Sequence, residues 1–292
     1  MSKRGKAPDE AQGTPSPASQ LVEYFAAQLA ASRVSGAVDA AQEIMFEAWE
    51  TEDPRKRAAM ARKALKVSPD CADAYVLLAE ETAKTAEQAV ELYSQGVGAG
   101  ARALGDAAFV EDVGAFWGLL ETRPYMRARL GLALALWEAA RAEEAIAHGQ
   151  EMLRLNPHDN QGVRYFVLNW LQRLGRDTEA DSLLRRYKDD PGTEWAWSAA
   201  LAAFRRHGDS ATARKALAQA GEANPHVAPY LLGRKKLPRR PPDFVAMGGK
   251  DEAAAYVHAT AATWKATPGA LEWLASTIDP TAAARPAAKS GP

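Results

Sequence analysis

Side chains that commonly take part in catalysis or metal binding are few and scattered in this sequence. Cysteine occurs once, as Cys71, and histidine five times, at His148, His158, His207, His226 and His258. No histidine has HExxH spacing or a cysteine companion, so the sequence indicates no metal site. It also lacks the GxGxxG phosphate loop and the GxSxG nucleophile turn. We therefore expect a protein that is not an enzyme and needs no cofactor.

An enzyme is the alternative reading of the same residues. A deep pocket that gathers Arg123, His158 or His226 with carboxylates would favour it, because catalytic groups must converge in space.

A dense basic run forms a second chemical feature of the chain. It is composed of Arg234, Lys235, Lys236, Arg239 and Arg240. Such a run suits phosphate or nucleic acid, but aromatic residues do not interleave with it and no nucleic-acid module surrounds it. We favour a solvated basic loop and keep nucleic-acid association as the alternative. The formal net charge of −1 gives no bulk attraction to nucleic acid or to a membrane.

Two prolines, Pro157 and Pro225, set the period of the rest of the chain. Each follows an asparagine and closes an alanine-rich helical segment, and they are 68 residues apart. This separation is twice the period of about 34 residues of the tetratricopeptide helix-turn-helix repeat. Small residues such as Ala213 and Ala220 stand in phase with Pro225, where they let the two helices of a repeat cross closely. The sequence predicts an all-α, tetratricopeptide-like helical-repeat solenoid with a C-terminal helical cap.

The first helix of each repeat lines the concave groove of such a solenoid, and the closing prolines set the count that assigns its residues. These are Arg127, Gln161, Arg164, Trp195, Ser198 and Arg205. Arginine holds a carboxylate in a bidentate fork, and tryptophan holds an apolar residue beside it. We therefore expect a protein or peptide partner that is acidic or is bound through its C-terminus. The alternative is that these side chains are solvated or join neighbouring helices.

Periodicity and composition divide the chain into segments. We expect a disordered tail at 1–20, N-terminal repeats at 21–100, an insertion at 101–122, core repeats at 123–225, a helical cap at 226–278 and a disordered tail at 279–292.

The start of the chain lacks the apolar core of a signal peptide, and the apolar run 130–137 is too short to span a bilayer. We expect a cytoplasmic protein. The sequence does not indicate its oligomeric state or name its partner.

Local patterns predict where several helices begin. Asp53 caps a helix that Pro54 starts, Asp70 caps the next, and Thr85 with Gln88 forms a capping box. Glycines at 96, 98, 100 and 105 are expected to loosen the chain, whereas the apolar residues of the insertion are expected to be buried. Those residues are Phe109, Val110, Phe116, Trp117, Leu119 and Leu120.

The C-terminal part resembles the suppressor of tumorigenicity 7 protein family. The likeness is carried by Asn224-Pro225-His226-Val227, Tyr230-Leu231-Leu232, Pro238, Asp251-Glu252-Ala253 with Tyr256, Trp264-Lys265 and Gly269-Ala270-Leu271. Residues 123–160 look like a bacterial branch of the same group, usually described as tetratricopeptide-repeat proteins. The resemblance implies an all-α repeat protein that is not known as an enzyme. The animal members carry N-terminal membrane segments that this sequence does not show, so we expect no membrane partner.

Overall fold

A computed structural model of the chain describes residues 35–242 and 244–278. Within those ranges it contains fourteen helices and no strand. They are α1 Gly36–Glu50, α2 Pro54–Val67, α3 Ala72–Thr82, α4 Ala86–Leu104, α5 Ala108–Glu111, α6 Arg123–Glu138, α7 Ala142–Leu155, α8 Val163–Arg173, α9 Asp177–Arg186, α10 Thr193–His207, α11 Ala211–Ala223, α12 Val227–Leu231, α13 Lys250–Ala266 and α14 Ala270–Ile278.

The predicted all-α helical-repeat fold is confirmed, because successive helices pack against one another in pairs. The two predicted disordered tails lie outside the described residues. The chain forms two compact units whose boundary passes through α4 and α6. Unit 1 contains the described residues up to Lys84 with Glu91–Asp112 and Phe116–Ala128; unit 2 contains Thr85–Val90, Val113–Ala115 and the described residues from Arg129 onward.

The core of unit 1 is made largely of alanines, which lets its helices approach closely. From α1 it buries Ala41, Met45 and Ala48, and from α2 it buries Ala58, Ala61 and Ala64. The Asp53 carboxylate accepts hydrogen bonds from the first amides of α2, and Pro54 is the first residue of that helix, as the sequence predicts.

Two glycines of α4 make close contacts rather than loosening the chain, so that expectation is wrong for them. The helix continues through Gly96, Gly98 and Gly100 to Leu104. A Cβ atom added at Gly100 would lie 2.9 Å from Tyr125 Cβ, and one at Gly96 would lie 3.2 Å from Ala128 Cβ. Helix α4 can therefore pack directly against the first turns of α6 only because these positions lack side chains.

The insertion buries some, but not all, of its apolar residues. Phe116 is fully buried, and its ring contacts those of Phe109 and Tyr125 at centroid distances of 5.3 and 6.0 Å. Val110 and Leu120 are 78% and 53% exposed, so the expectation that they are buried is wrong. The single-turn helix α5 presents one face to the protein, and that face can take up only part of the apolar set.

Of two further predicted helix caps, one makes a different contact and one forms as expected. Helix α3 is preceded by Cys71 and has no side-chain cap, because Asp70 accepts a hydrogen bond from Arg102 Nε at 2.8 Å. Thr85 behaves as predicted, since its hydroxyl accepts a hydrogen bond from the Gln88 amide at 3.2 Å.

Three helices of unit 2, each the first of a helix pair, pack together. Helix α13 contacts both α10 and α8, and α8 also contacts α10. Asn169 Nδ2 of α8 donates to the Ala259 carbonyl of α13 at 3.2 Å, and Thr193 Oγ1 of α10 donates to Glu252 at 2.6 Å. In an array in which each repeat contacts only its neighbours, α13 would contact α10 but not α8.

The Asn-Pro turn before α12 is held by a buried asparagine. The Asn224 side-chain amide donates to the Gly249 carbonyl and to Thr193 Oγ1, and its oxygen accepts from the His226 amide. The Asn224 carbonyl accepts from Trp197 Nε1 at 3.2 Å. One turn therefore connects α10 with the start of α13, which explains why Asn224 is fully buried.

Candidate partner-binding surfaces

The predicted groove residues fall in both units, so each unit is described by itself. Arg127 belongs to unit 1, and Gln161, Arg164, Trp195, Ser198 and Arg205 belong to unit 2. Their role in binding stays a prediction, but the structure gives each side chain a definite environment.

Arg127 is paired with a fully buried carboxylate of its own unit. Its guanidinium donates from Nε to Asp73 Oδ1 at 2.8 Å and from Nη2 to Asp73 Oδ2, and Gln42 Nε2 donates to the same carboxylate at 2.9 Å. The guanidinium carbon of Arg127 lies 5.3 Å from the centroid of the Trp49 ring. Two N–H groups of Arg127 are therefore used in a bidentate pair within the protein.

Arg164 is held in a network of two carboxylates and a tyrosine. Its Nε donates to Asp190 at 2.6 Å and its Nη1 to Asp159 at 2.9 Å, while Nη2 donates to the Tyr165 hydroxyl at 2.8 Å. Asp159 also accepts from the first two amides of α8, which ties the helix start to the preceding turn. Burial and the hydrogen bond to Asp190 raise the pKa of Tyr165 to about 12.

The other groove residues of unit 2 lie largely inside it. Arg205 donates to the Gln172 carbonyl, to Asp177 and to Thr267 Oγ1 at the end of α13. Trp195 is 3% exposed, with the rings of Tyr165 and Tyr187 edge-on to it at about 6 Å, and Ser198 is fully buried. Gln161 is half-buried. These contacts are those of residues that join helices.

Unit 1 keeps an aromatic surface beside Arg127. On α1, Phe46 is 51% exposed and lies with its ring centroid 6.0 Å from that of the half-buried Trp49. Glu43, Glu47 and Glu50 on the same helix are exposed. We call Phe46, Trp49, Arg127 and these three glutamates the α1 surface. An exposed phenylalanine beside a tryptophan and an arginine has the composition of a protein-binding hot spot.

The titratable groups proposed for an enzyme have structural contacts or are exposed. Arg123 Nε donates to the Trp117 carbonyl at 3.0 Å in unit 1, and in unit 2 His158 is exposed. A cavity of about 320 Å³ in unit 2 is walled by Trp197, Leu217, Pro225 and Ile278, with Arg214 also lining it. No group of three or more potential metal ligands converges within the described residues.

The basic run lies in the segment between α12 and α13. Near the start of the run, Lys235 places its Nζ 4.4 Å from the centroid of the Tyr230 ring. Lys236, Arg239 and Arg240 are exposed. Across the described ranges, no helix is both long and apolar enough to cross a membrane.

Comparison with known proteins places this chain among named relatives. It is 28% identical over 263 residues to a suppressor of tumorigenicity 7 protein-like protein of Danio rerio, covering 82% of this chain and 44% of that protein. It is 29% identical over 266 residues to the protein of that name of Mus musculus, covering 82% and 46%. It is 28% identical over 293 residues to the suppressor of tumorigenicity 7 protein of Macaca fascicularis, covering 82% and 53%. The chain thus spans about half the length of these relatives.

A family model described as ST7 protein matches residues 32–112 and 197–289, which together make up more than half of the chain. The second range includes every residue between Asn224 and Leu271 that carries the resemblance seen in the sequence. The specific likeness of residues 123–160 to a bacterial branch stays a prediction. By the extent of the match, the chain belongs to the ST7 protein family.

Proposed function

We propose that this chain is a non-enzymatic, protein-binding scaffold whose partner docks on the α1 surface of unit 1. The observation that carries the proposal is the half-exposed Phe46 ring beside Trp49, whose own ring lies against Arg127. Large aromatic residues and arginine supply most of the binding energy in protein interfaces.

The charge around Phe46 indicates the chemistry of the partner. Glu43 and Glu50 lie three residues before and four after Phe46, so their carboxylates flank its ring on the helix surface. Arg127, the nearby cation, is already paired with Asp73. The sequence predicts an acidic partner, but the α1 surface favours a basic segment with one apolar anchor, because the charges on it that pair with no other described residue are negative.

Capture of cross-linked partners from native cells tests this proposal, with Phe46→Ala compared with the wild-type chain. The matched control is Phe166→Ala, which removes a ring that is 39% exposed in unit 2. We expect Phe46→Ala to weaken partner retention by about 2 kcal/mol, or roughly thirtyfold, as truncation of a hot-spot aromatic does. Phe166→Ala should leave retention unchanged.

Charge provides a second measurement on the same surface. Glu43→Gln with Glu50→Gln should reduce the rate of association and its salt dependence, because rim charges mainly steer encounter. If both the phenylalanine and the glutamate variants retain every partner at the wild-type level, the α1 surface is not the docking site.

A further inference from the structure

Three large apolar side chains are exposed in the described part of the segment between α12 and α13, residues 233–242 and 244–249. Phe244 is 88% exposed, Met247 75% and Val245 56%. Phe244 is the most exposed large apolar side chain among the described residues. Three such residues within four positions are unusual on a protein surface unless something covers them.

The backbone that carries these side chains is fixed to α13. The Ala246 amide donates to the Asp251 carboxylate at 2.7 Å, and the Gly248 amide donates to Glu252 at 2.6 Å. Both acceptors lie in the first turn of α13. These bonds use the two amides that flank Met247, so they hold the backbone while leaving its side chain exposed.

The other end of the segment is attached to α12 and carries positive charge. The Lys235 amide donates to the Pro229 carbonyl at 2.9 Å. Beyond that point Lys236, Arg239 and Arg240 are exposed, and no ion pair joins any of them to another described residue. Pro238, Pro241 and Pro242 keep this stretch out of a helix. Fixed ends thus present cations and apolar side chains on one short segment.

We propose that residues 233–249 attach the protein reversibly to an anionic lipid surface. Phe244, Val245 and Met247 enter the headgroup region, and Lys236, Arg239 and Arg240 meet acidic headgroups. Peripheral attachment needs two such signals, because neither a few apolar side chains nor a few cations suffice alone. This inference is independent of the partner proposed for the α1 surface.

The apolar residues decide between a lipid surface and nucleic acid. Single-stranded nucleic acid binds by stacking bases on aromatic rings, with cations along the backbone. Val245 and Met247 have no ring to stack, yet both are more than half exposed. Aliphatic side chains gain more from the acyl boundary of a membrane than from a charged polynucleotide.

Co-sedimentation of the full chain with vesicles tests the proposal. Vesicles of phosphatidylcholine with phosphatidylserine are compared with phosphatidylcholine alone, and the chain is also spun without vesicles. We expect binding only to the anionic vesicles. Arg239→Ala with Arg240→Ala should weaken it about thirtyfold, since each cation near the surface contributes about fivefold. Phe244→Ala with Met247→Ala should weaken it at least about tenfold through lost apolar burial.

Matched controls separate the segment from the rest of the surface. Arg62→Ala with Lys63→Ala removes two exposed cations of α2 and should leave vesicle binding unchanged. The proposal is overturned if the chain fails to bind anionic vesicles at low salt, or if the Phe244 and Met247 variant binds them like wild type. Salt-dependent binding of RNA or DNA that needs Arg239 and Arg240, without vesicle binding, would assign the segment to nucleic acid instead.

Discussion

Glu194, in the first turn of α10, is the most perturbed carboxyl group of unit 2. Burial, followed by the negative charges of Asp190 and Glu252, raises the pKa of Glu194 to about 8. No hydrogen bond or ion pair joins its carboxylate to another described residue. Arg164, the cation of the neighbouring network, is already bonded to Asp190 and does not pair with Glu194.

The stability of unit 2 should therefore fall as the pH rises from about 4.5 to 8. In this range the folded chain keeps the Glu194 proton that the unfolded chain loses, so folding takes up a proton. Glu194→Gln removes this titration and should stabilise the protein by about 1 to 3 kcal/mol above pH 8, with little effect near pH 4.5.

Urea unfolding of wild type and Glu194→Gln at pH 5 and pH 8.5 measures this difference. Glu222→Gln, which changes an exposed carboxyl group of α11, is the control and should give no pH-dependent gain. An equal effect of Glu194→Gln at both pH values would contradict the shifted titration.

For single side chains, the sequence indicates which positions carry arginine or tryptophan but not what they contact. The 34-residue count singled out Arg164 and Arg205 without showing that Asp190 and Asp177 would pair with them. Those partners are 26 and 28 residues away in sequence. The predicted groove residues do not include Phe46.

Close helix contact explains Gly96 and Gly100 of α4 but not Gly98. Gly100 is fully packed against Tyr125 and Ala72, whereas Gly98 has only the end of the Arg102 side chain near it, at 3.4 Å. Because the two positions lie in the same helix, substitutions at them can separate the effect of helix propensity from the effect of packing.

Gly98→Ala and Gly100→Ala should therefore have opposite effects. Alanine at 98 should stabilise unit 1 by about 0.5 to 1 kcal/mol through helix propensity. Alanine at 100 should destabilise it by about 2 kcal/mol, because the new Cβ would meet the Tyr125 backbone at 3.0 Å. Urea denaturation of both variants checks this, and an equal gain from both would mean that α4 is not held against α6.

Helix positions themselves were predicted well where local signals are strong. Helix α2 begins at Pro54 behind the Asp53 cap, as predicted. The Asp70 cap was wrong because Arg102, 32 residues away, binds its carboxylate. A sequence pattern shows which nearby amides such a side chain could cap. It does not show which distant residue will bind it instead.

At the scale of whole units, the C-terminal helices complete unit 2. Trp197 and Trp264 are both fully buried, with ring centroids 6.1 Å apart, and Trp197 also contacts Tyr256. Periodicity predicted a C-terminal cap but not its contact with α8, because a repeat count specifies only neighbouring repeats. The apolar face of α10 thus depends on α13 to be covered.

A chain that ends at Leu232 should lose this cover. Compared with a chain that ends at Ile278, it should unfold at a lower temperature and with less cooperativity, because leaving one large buried side chain such as Trp197 exposed costs about 1.5 to 3 kcal/mol. Circular dichroism melting and binding of an apolar dye measure both effects. Identical melting of the two chains would show that α13 and α14 add nothing to the stability of α10.

Because α13 contacts α8, unit 2 cannot complete its packing until α13 has been synthesised. Hydrogen bonds join residues 59, 62 and 90 positions apart, namely Thr193 with Glu252, Arg205 with Thr267 and Asn169 with Ala259. Closing such long loops costs entropy before any contact forms, which slows folding. During translation, α8 and α10 are synthesised before α13. Until α13 is available, the nascent repeats expose an apolar face to which a chaperone can bind.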